Sequence, residues 1–243
     1  RTRAMSSLRT RWTTALDGLR RLDRFRSFRR PEGVDFTSND YLGYGSGRLP
    51  PPGDTAPSLA RSGMASRLLR GHHDVWERVE AALCDWHGCE AALMMTSGYA
   101  ANEGLLSTIL EPGDWAATDD LNHACIADGL RMAKCRRFGF RHNDLTQLED
   151  GLRTEAAKAE PGRERFVVTE SLFSMDGDTA RLRDVVELAE RYGASVIVDE
   201  AHSTGCFGPA GSGCVDAAGL RGRVLATVHT GGKALGVPGA YVA

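Results

Sequence analysis

The chain has 243 residues, of which 42% are hydrophobic, and this is enough to bury one substantial core rather than remain disordered. Its formal net charge of −2 gives no reason to expect a nucleic acid or an anionic membrane as partner, and no apolar run approaches the roughly 18 to 20 residues of a membrane span. The near-neutral charge thus favours a small substrate. The six cysteines show no C-x-x-C spacing, so we expect reduced thiols and a cytoplasmic location.

The first 30 residues contain ten arginines and two acids, a composition that organelle-targeting peptides share. Apolar residues recur there at helical spacing: Trp12, Leu16, Leu19, Leu22 and Phe25. We therefore predict a basic amphipathic helix packed on a core. A short strand is predicted over residues 34–37, and three prolines at 50–52 indicate a stiff connection. We place the domain boundary there, with an N-terminal segment over residues 1–53 and a large domain over residues 54–243.

Beyond the prolines, helical and strand patterns alternate along the chain. Helices are predicted from Asp74, from the turn at 96–99 to about 110, and over 123–133, 145–159 and 182–192. Strands are predicted over 91–95, 115–118, 136–138, 166–169, 195–198, 224–228 and 240–242. Alternation at this spacing indicates βαβ units, so we predict an α/β fold with a mainly parallel central sheet and flanking helices.

Two predicted strands carry chemically active residues at their C-terminal ends. Asp199 and His202 follow one of them, and Lys233 follows the other behind two glycines. Open α/β sheets place ligands at such strand ends. Lysine can form a Schiff base with a carbonyl cofactor while an aspartate holds a protonated pyridine nitrogen, so the set favours pyridoxal phosphate. For the Gly-Lys pair taken alone, a surface lysine on a turn remains the alternative.

Two further turns lie where strands are predicted to end. Thr96-Ser97-Gly98-Tyr99 precedes a predicted helix, so its free backbone N–H groups either bind a phosphate or form an ordinary N-cap. His123 follows another short strand, and it either stacks on a cofactor or has a structural role. Both interpretations stay open for each turn.

Other cofactor motifs fail at particular positions. A P-loop would need glycine in place of Thr227 and serine or threonine in place of Ala234, and a dinucleotide fingerprint would need glycine in place of Arg48. None of the seven histidines lies in H-E-x-x-H or a comparable arrangement, so we expect no catalytic metal.

Eight motifs follow one another along the chain. They are SNDYLG (38–43), SRL with Gly71 (66–71), TSGYAAN (96–102), NHA (122–124), HND (142–144), TESLFSMDGD (169–178), DEAHSTG (199–205) and TGGKALG (230–236). In this order they resemble the α-oxoamine synthases from about Ala15 to the last residue, most closely the branch that makes 8-amino-7-oxononanoate. The resemblance implies a fold-type I pyridoxal-phosphate-dependent transferase, normally a cytoplasmic homodimer.

The resemblance also implies a role for each matching residue. Lys233 would form the Schiff base with pyridoxal 5′-phosphate and later move protons, while Asp199 would pair with the pyridine nitrogen. His202 would reach the ring hydroxyl, and His123 would stack on the ring and contact the substrate. The remaining cofactor contacts would come from Gly98, Tyr99, Ser174 and Thr230. Arg26 is our choice for a substrate contact, with Arg24 and Arg29 as close rivals.

The implied reaction is a decarboxylative condensation of L-alanine with a pimeloyl thioester of coenzyme A or acyl-carrier protein, a step of biotin biosynthesis. The sequence His202-Ser203-Thr204-Gly205 favours alanine, because glycine-using relatives tend to have Ala-Val after that histidine. Two alternatives stay open. One is another α-oxoamine synthase, similar to glycine C-acetyltransferase or serine palmitoyltransferase, and the other is an inert fragment or interaction module that keeps the fold.

The chain departs from the family pattern in two ways. Trp76 stands where family members usually have a histidine, which puts any substrate role of that position in doubt. Family members also continue into a small C-terminal domain with a carboxylate-binding arginine, whereas the sequence ends at Ala243, so we expect that domain to be missing.

Overall fold

The computed structural model describes residues 2–27, 33–34, 36–48, 65–158 and 160–243. The chain divides into two compact units, Arg1–Ser38 and Asn39–Ala243. The prolines at 50–52 lie outside the described residues, so the predicted division at residue 53 stays a prediction.

The N-terminal unit contains one long helix, α1 (Thr2–Arg21), which confirms the predicted helix. Arg20 and Arg21 lie in its last turn, where positive charge stabilises the helix dipole. Trp12 is 58% exposed and Leu22 is 67% exposed, and the predicted packing of these apolar residues on a core stays a prediction. The rest of the described part of this unit offers few apolar side chains to cover them.

The strand predicted over residues 34–37 is also wrong for the residues that the structure describes. Val34, Phe36 and Thr37 lie in bends, and Val34 and Phe36 are 81% and 92% exposed. Residue 35 lies outside the described residues. An apolar-polar alternation of four residues is too short to form a strand unless a neighbouring strand pairs with it.

The second unit contains the remaining helices and all the strands that the structure describes. The helices are α2 (Asp74–His87), α3 (Gly98–Ile109), α4 (Ala124–Ala133), α5 (Leu145–Ala156), α6 (Leu182–Arg191) and α7 (Cys214–Ala217), with short helical turns at Tyr44–Arg48, Arg67–Gly71 and Pro209–Gly211. The strands are β1 (Leu93–Met95), β2 (Trp115–Asp119), β3 (Arg136–Phe140), β4 (Arg165–Glu170), β5 (Ser195–Asp199), β6 (Ala226–Thr230) and β7 (Ala240–Val242). The predicted elements from residue 74 onward are therefore confirmed, with ends that differ by a few residues.

Seven strands form one sheet in the order β1-β7-β6-β5-β4-β2-β3. The pairs β6–β5, β5–β4, β4–β2 and β2–β3 are parallel, whereas β7 is antiparallel to both β1 and β6. The predicted mainly parallel sheet is confirmed. Because β1 runs in the same direction as β6, the carboxyl ends of all strands except β7 lie along one edge.

Helices cover both faces of this sheet. Alternate residues of β4 and β5 point to opposite faces, so Val167 and Val198 belong to one buried cluster while Val168 and Ile197 belong to another. Helices α5 and α6 complete the first cluster, and α3 and α4 complete the second. In the described part of the chain, no helix combines the length and the apolar character that a membrane crossing requires.

Candidate active site

A cavity of about 180 Å³ lies at the carboxyl edge of the sheet. It is lined by Gly98, Tyr99, Asn102, His123, Cys125, Glu170, Asp199, Ala201, His202, Thr230 and Lys233. The parallel direction of the strands explains this convergence, since β4, β5 and β6 all end here. Seven of the residues that the sequence predicts for a cofactor site therefore share one cavity: Gly98, Tyr99, His123, Asp199, His202, Thr230 and Lys233.

Lys233 reaches the cavity from a tight turn after β6. Gly231 donates its N–H to the carbonyl of Gly239 at 2.9 Å, and a Cβ atom at Gly231 would come within 2.6 Å of the carbonyl oxygen of Val237. Only glycine, which has no Cβ atom, can lie this close to the Val237 carbonyl. Burial lowers the pKa of the Lys233 amine, and the negative charges of Asp199 and Glu170 oppose this shift. The cavity therefore favours the neutral, nucleophilic form of this amine more than water does.

A chain of hydrogen bonds connects Lys233 to a loop before the sheet. Lys233 Nζ lies 2.6 Å from His202 Nε2, His202 Nδ1 lies 2.7 Å from the Tyr41 hydroxyl, and that hydroxyl lies 3.1 Å from Asn39 Oδ1. Burial and the charge of Lys233 lower the pKa of His202 to about 4, so the imidazole is neutral near pH 7. The lysine then donates to Nε2, Nδ1–H donates to the Tyr41 oxygen, and the tyrosine O–H donates to Asn39.

Asp199 is the buried carboxylate of the cavity. Its Oδ1 accepts the N–H of Ala201 at 2.8 Å, and its Oδ2 accepts Nδ2–H of Asn102 at 2.7 Å. Burial raises the pKa of this carboxyl, while the two hydrogen bonds and the positive charge of Lys233 oppose the shift. A cationic ligand would be stabilised strongly here because the carboxylate lies out of contact with water.

Glu170 is a second carboxyl beside Asp199. The two residues are paired across the register of β4 and β5, and both side chains line the cavity. Glu170 Oε1 accepts the backbone N–H of His123 at 2.6 Å. Burial, together with the negative charge of Asp199, raises the pKa of Glu170 to about 7. This carboxyl can therefore hold or release a proton at neutral pH.

The N-terminus of α3 forms another wall. Ser97 caps the helix by accepting the N–H of Ala100 at 3.2 Å, which leaves the N–H groups of Gly98 and Tyr99 without helical partners. A Cβ atom at Gly98 would lie 3.5 Å from the side chain of Thr230. Free N–H groups, the helix dipole and a threonine hydroxyl form a site that suits a phosphate group.

His123 caps the N-terminus of α4 with its own ring. Nδ1 accepts the backbone N–H of Cys125 at 3.3 Å and lies 2.9 Å from Cys125 Sγ. Burial raises the pKa of the Cys125 thiol to about 12, so the thiol stays protonated and donates to the ring. Tyr99 meets the imidazole edge-on, with ring centroids 6.1 Å apart. These contacts fix the plane of the ring at the cavity.

The two remaining predicted residues are Ser174, which does not line this cavity, and Arg26, which belongs to the other unit. Ser174 lies exposed in a turn of the segment between β4 and α6. That segment is held by Asp178, whose Oδ2 lies 2.8 Å from Nε2 of His142. Arg26 belongs to the N-terminal unit and is exposed. The predicted cofactor contact of Ser174 and the predicted substrate contact of Arg26 stay predictions.

Five residues of the site had no role assigned from the sequence. Four of them lie inside motifs that the family shares, so motif membership was the available signal: Tyr41, Asn102, Glu170 and Ala201. Cys125 follows NHA directly and was considered only as one of six thiols. Their contacts depend on how distant segments meet, which spacing along the chain does not reveal.

A second, larger cavity of about 470 Å³ is lined by His87, Glu200, Thr227 and their neighbours. It contains neither Lys233 nor Asp199. Among the described residues, no group of three or more histidine, cysteine, aspartate or glutamate side chains is arranged to hold a metal ion. The chemistry of an amine beside carboxylates and a helix N-terminus is concentrated in the smaller cavity.

Comparison with known sequences identifies close relatives. Residues 31–243 match the family "Aminotransferase class I and II". Relatives from Halalkalibacterium halodurans and Geobacillus kaustophilus, both provisionally named 8-amino-7-oxononanoate synthase, are each 43% identical over 212 residues, or 86% of this chain. The match covers 52% and 53% of those relatives. The chain thus spans about half the length of the curated relatives it matches.

Solved structures show the same architecture. Serine palmitoyltransferase from Sphingomonas wittichii is 34% identical with a TM-score of 0.70, covering 74% of this chain and 44% of that one. A structure of SPT with PLP internal aldimine is 37% identical with a TM-score of 0.69, at the same coverage. The 8-amino-7-oxononanoate synthase from Francisella tularensis is 27% identical with a TM-score of 0.65, covering 86% of this chain and 57% of that one.

Proposed function

The chain belongs to the aminotransferase class I and II family, and from this premise we propose that its strand-end cavity binds pyridoxal 5′-phosphate and serves a decarboxylative acyl transfer. The substrates we propose are L-alanine and a pimeloyl thioester, and the product is 8-amino-7-oxononanoate, as in biotin biosynthesis. The names of the curated relatives support this choice of substrates. The activity belongs to the whole protein, of whose relatives this chain spans about half.

One observation carries the proposal: Lys233 and the buried Asp199 line the same cavity, with His202 2.6 Å from the Lys233 amine. An aldehyde cofactor needs a lysine with a lowered pKa, and burial lowers the pKa of Lys233. A pyridine nitrogen keeps its proton only beside a negative charge. Asp199 supplies that charge.

The residues present fit the cofactor. Asp199 would hold the ring nitrogen, and the N–H groups of Gly98 and Tyr99 with the Thr230 hydroxyl would hold the phosphate. An independent sign is Oδ1 of Asn102, which is buried and has no hydrogen-bond partner in the protein. A buried polar atom without a partner costs about 1 to 3 kcal/mol, and Asn102 is one of the residues that line the cavity, so we expect a polar ligand atom or bound water to satisfy it.

When bound, pyridoxal phosphate withdraws electrons from the carbon atom that loses its proton or carboxylate. The amine of Lys233 takes and returns protons at Nζ, because burial keeps a fraction of it neutral. His202 and Tyr41 hold this amine toward the cavity through their hydrogen bonds. His123 presents a ring whose plane is fixed by Cys125 and Tyr99, and this ring excludes water from one side.

Glu170 is the second proton-holding group of the proposed site. Its pKa of about 7 allows it to be protonated or ionised under working conditions, and it shares the cavity with Lys233. Its bond to the N–H of His123 couples its carboxyl to the position of that ring. The cavity therefore contains one amine and two carboxyls, Glu170 and Asp199, of which Asp199 is assigned to the ring nitrogen.

A second candidate function is the condensation of L-serine with a long-chain acyl thioester. The structural comparison favours it, since the serine palmitoyltransferase from Sphingomonas wittichii is 34% identical to this chain while the 8-amino-7-oxononanoate synthase from Francisella tularensis is 27% identical. The curated sequence relatives, at 43% identity, favour alanine instead. The two candidates share the proposed cofactor chemistry and differ only in substrates.

Turnover of the intact protein with defined substrates tests both candidates. Alanine, serine and glycine would each be combined with pimeloyl and palmitoyl thioesters, and the condensation products and carbon dioxide would be measured. We expect alanine with the pimeloyl thioester to give at least ~10-fold higher kcat/KM than the other pairs, since one methyl or hydroxyl group supports discrimination of this order. Faster turnover of serine with the palmitoyl thioester would replace the first candidate by the second. Absence of a cofactor-dependent product in every pair would overturn both.

We also propose a homodimer and a cytoplasmic location. All six cysteines are free thiols, as expected in a reducing compartment. Light scattering of the purified protein would test the dimer, and fractionation of the producing cells would test the location.

The donor of the acyl group, coenzyme A or acyl-carrier protein, would be decided by offering both in the turnover assay.

A further inference from the structure

Asn102 is a fully buried amide on α3 that faces the carboxylate of Asp199. Its side chain is only 1% exposed, and Nδ2 donates one hydrogen to Asp199 Oδ2 at 2.7 Å and one to the carbonyl of Gly98 at 3.2 Å. Both of these partners can only accept hydrogen bonds. The amide is therefore oriented by its surroundings, because reversing it would place Oδ1 against a carboxylate and a carbonyl.

The two oxygens of Asp199 are held by donors from different elements. Oδ1 accepts from the backbone N–H of Ala201, which lies just after β5, and Oδ2 accepts from the side chain of Asn102 on α3. A carboxylate with two fixed donors cannot rotate freely about its χ2 angle. Its remaining lone pairs consequently point in a direction that the protein sets in advance.

We propose that Asn102 is a positioning residue, which holds the carboxylate of Asp199 in the orientation that receives the protonated ring nitrogen of pyridoxal phosphate. This inference rests on the proposed function of the cavity. Asn102 acts through Asp199 rather than on the substrate.

The bond has an electrostatic consequence as well. Burial raises the pKa of Asp199, and the N–H of Asn102 opposes that shift because it stabilises only the ionised carboxylate. Without the amide, Asp199 would take up a proton at higher pH and could no longer hold a protonated ring nitrogen. In Asn102→Ala, which has no donor to Asp199, cofactor binding should therefore weaken first as the pH falls.

The test is the dissociation constant of pyridoxal phosphate, measured by fluorescence titration of the intact protein across pH 5 to 9 and without any substrate. Asn102→Ala should weaken binding ~10-fold to 100-fold, the range expected for a hydrogen bond to a charged group. The acid limb of its binding curve should move to higher pH. Asn102→Asp should show the opposite trend, with weak binding at high pH that recovers as the introduced carboxyl is protonated and donates to Asp199.

Two controls separate positioning from structure. Asn143→Ala removes a hydrogen bond of the same kind, in which Asn143 Nδ2 donates to Asp178 Oδ2 at 2.9 Å. This variant should leave the acid limb of the pyridoxal phosphate binding curve unchanged. In an Asp199→Asn background, Asn102→Ala should add little further loss, because the two changes remove one interaction. Additive losses, or equal weakening at every pH, would overturn the inference.

The outcomes also separate this inference from the proposed function. If the wild-type protein binds no pyridoxal phosphate, the proposed function fails. If the wild-type protein binds and both Asn102 variants match its pH curve, only the positioning role fails. Should Asn102→Ala not fold, the shape-conserving Asn102→Asp variant decides alone, and absence of its recovery at low pH counts against the inference.

Discussion

The larger cavity beside His87 and the smaller cavity beside Lys233 both contain a buried carboxylate and a histidine. In the larger one, Glu200 Oε1 accepts the N–H groups of Cys214 and Val215 at 2.8 and 3.1 Å and the hydroxyl of Ser203 at 3.1 Å. His87 Nε2 is paired with the Tyr241 hydroxyl at 2.9 Å. The polar side-chain atoms of this region therefore have partners within the protein.

The smaller cavity differs in how its polar groups are partnered. Asn102 Oδ1 has no partner, the carboxyls of Asp199 and Glu170 lie side by side, and the amine of Lys233 is held out of water. These arrangements cost folding free energy, and a bound ligand would recover it. The larger volume of the other cavity, about 470 Å³ against about 180 Å³, is thus a poor guide to chemistry. The better guide is the combination of an unpartnered buried amide oxygen with two neighbouring carboxyls and an amine in one cavity.

The largest expected effect follows from removing the amine. Lys233→Ala should abolish covalent attachment of pyridoxal phosphate and lower kcat/KM by on the order of 10³-fold or more, because the nucleophile and the proton carrier are lost together. Mass spectrometry after borohydride reduction would locate the attached cofactor. Lys158→Ala is the matched control, since that lysine is 45% exposed, pairs with Glu155 and does not line the smaller cavity. Attachment that persists in Lys233→Ala would contradict the assignment of the smaller cavity.

The next largest effect is expected from a substitution in the larger cavity, and it should appear in the stability of the protein rather than in its turnover. Glu200→Ala leaves the N–H groups of Cys214 and Val215 without their acceptor and empties the buried volume of the carboxylate, so we expect the free energy of unfolding to fall by about 2 to 4 kcal/mol. Urea denaturation monitored by circular dichroism would measure it. Turnover per folded molecule should change less than in Lys233→Ala. A loss of turnover without a loss of stability would mean that the larger cavity also takes part in the reaction.

The order of elements from β1 onward followed from the sequence, because buried parallel strands such as β4 and β5 are continuous apolar runs and the helices between them have regular apolar periodicity. The residues at their ends could be placed for the same reason, since parallel strands end at one edge. Asp199 and Lys233 therefore came together as predicted in a single cavity. Their proposed catalytic roles depend on experiments rather than on placement.

The N-terminal segment shows where such reasoning fails. Helical periodicity predicted α1 correctly, but the pattern does not say what covers its apolar face, and Trp12 is exposed. Asn102 was missed for a related reason. Its partner Asp199 is 97 residues away, and nothing in the local spacing shows that the two side chains meet. Contacts between distant segments depend on the tertiary packing of the sheet and its helices.

The pH dependence of stability offers a finer test of the smaller cavity. The pKa of Glu170 is raised from 4.5 to about 7 in the folded state, so the folded state binds more protons than the unfolded state between these values. Stability of the cofactor-free protein should therefore fall as the pH rises from about 4.5 to about 7, by up to about 3 kcal/mol. Glu170→Gln keeps an acceptor for the His123 N–H and removes the charge.

Glu170→Gln should accordingly be more stable than the wild type at pH 8 and no more stable at pH 4. Urea titrations of both proteins at the two pH values would measure the difference. A variant that is less stable than the wild type at pH 8 would show that the ionised carboxylate stabilises the fold, and the contrast between the two cavities would then lose its energetic basis.

The smallest and sharpest comparison uses two tyrosines that each contact a histidine. Tyr41 lies 2.7 Å from His202 in the smaller cavity's hydrogen-bond chain, and Tyr241 lies 2.9 Å from His87 beside the larger cavity. Replacing either by phenylalanine removes one hydrogen bond worth about 1 kcal/mol.

For Tyr241→Phe this loss should appear as lower stability with unchanged cofactor affinity. For Tyr41→Phe it should appear as a ~5-fold decrease in kcat with a shifted pH profile, because the loop hydroxyl orients the histidine that contacts Lys233. If both variants lose only stability, the chain from Tyr41 to Lys233 is structural, and the proposed role of His202 in holding the amine fails with it.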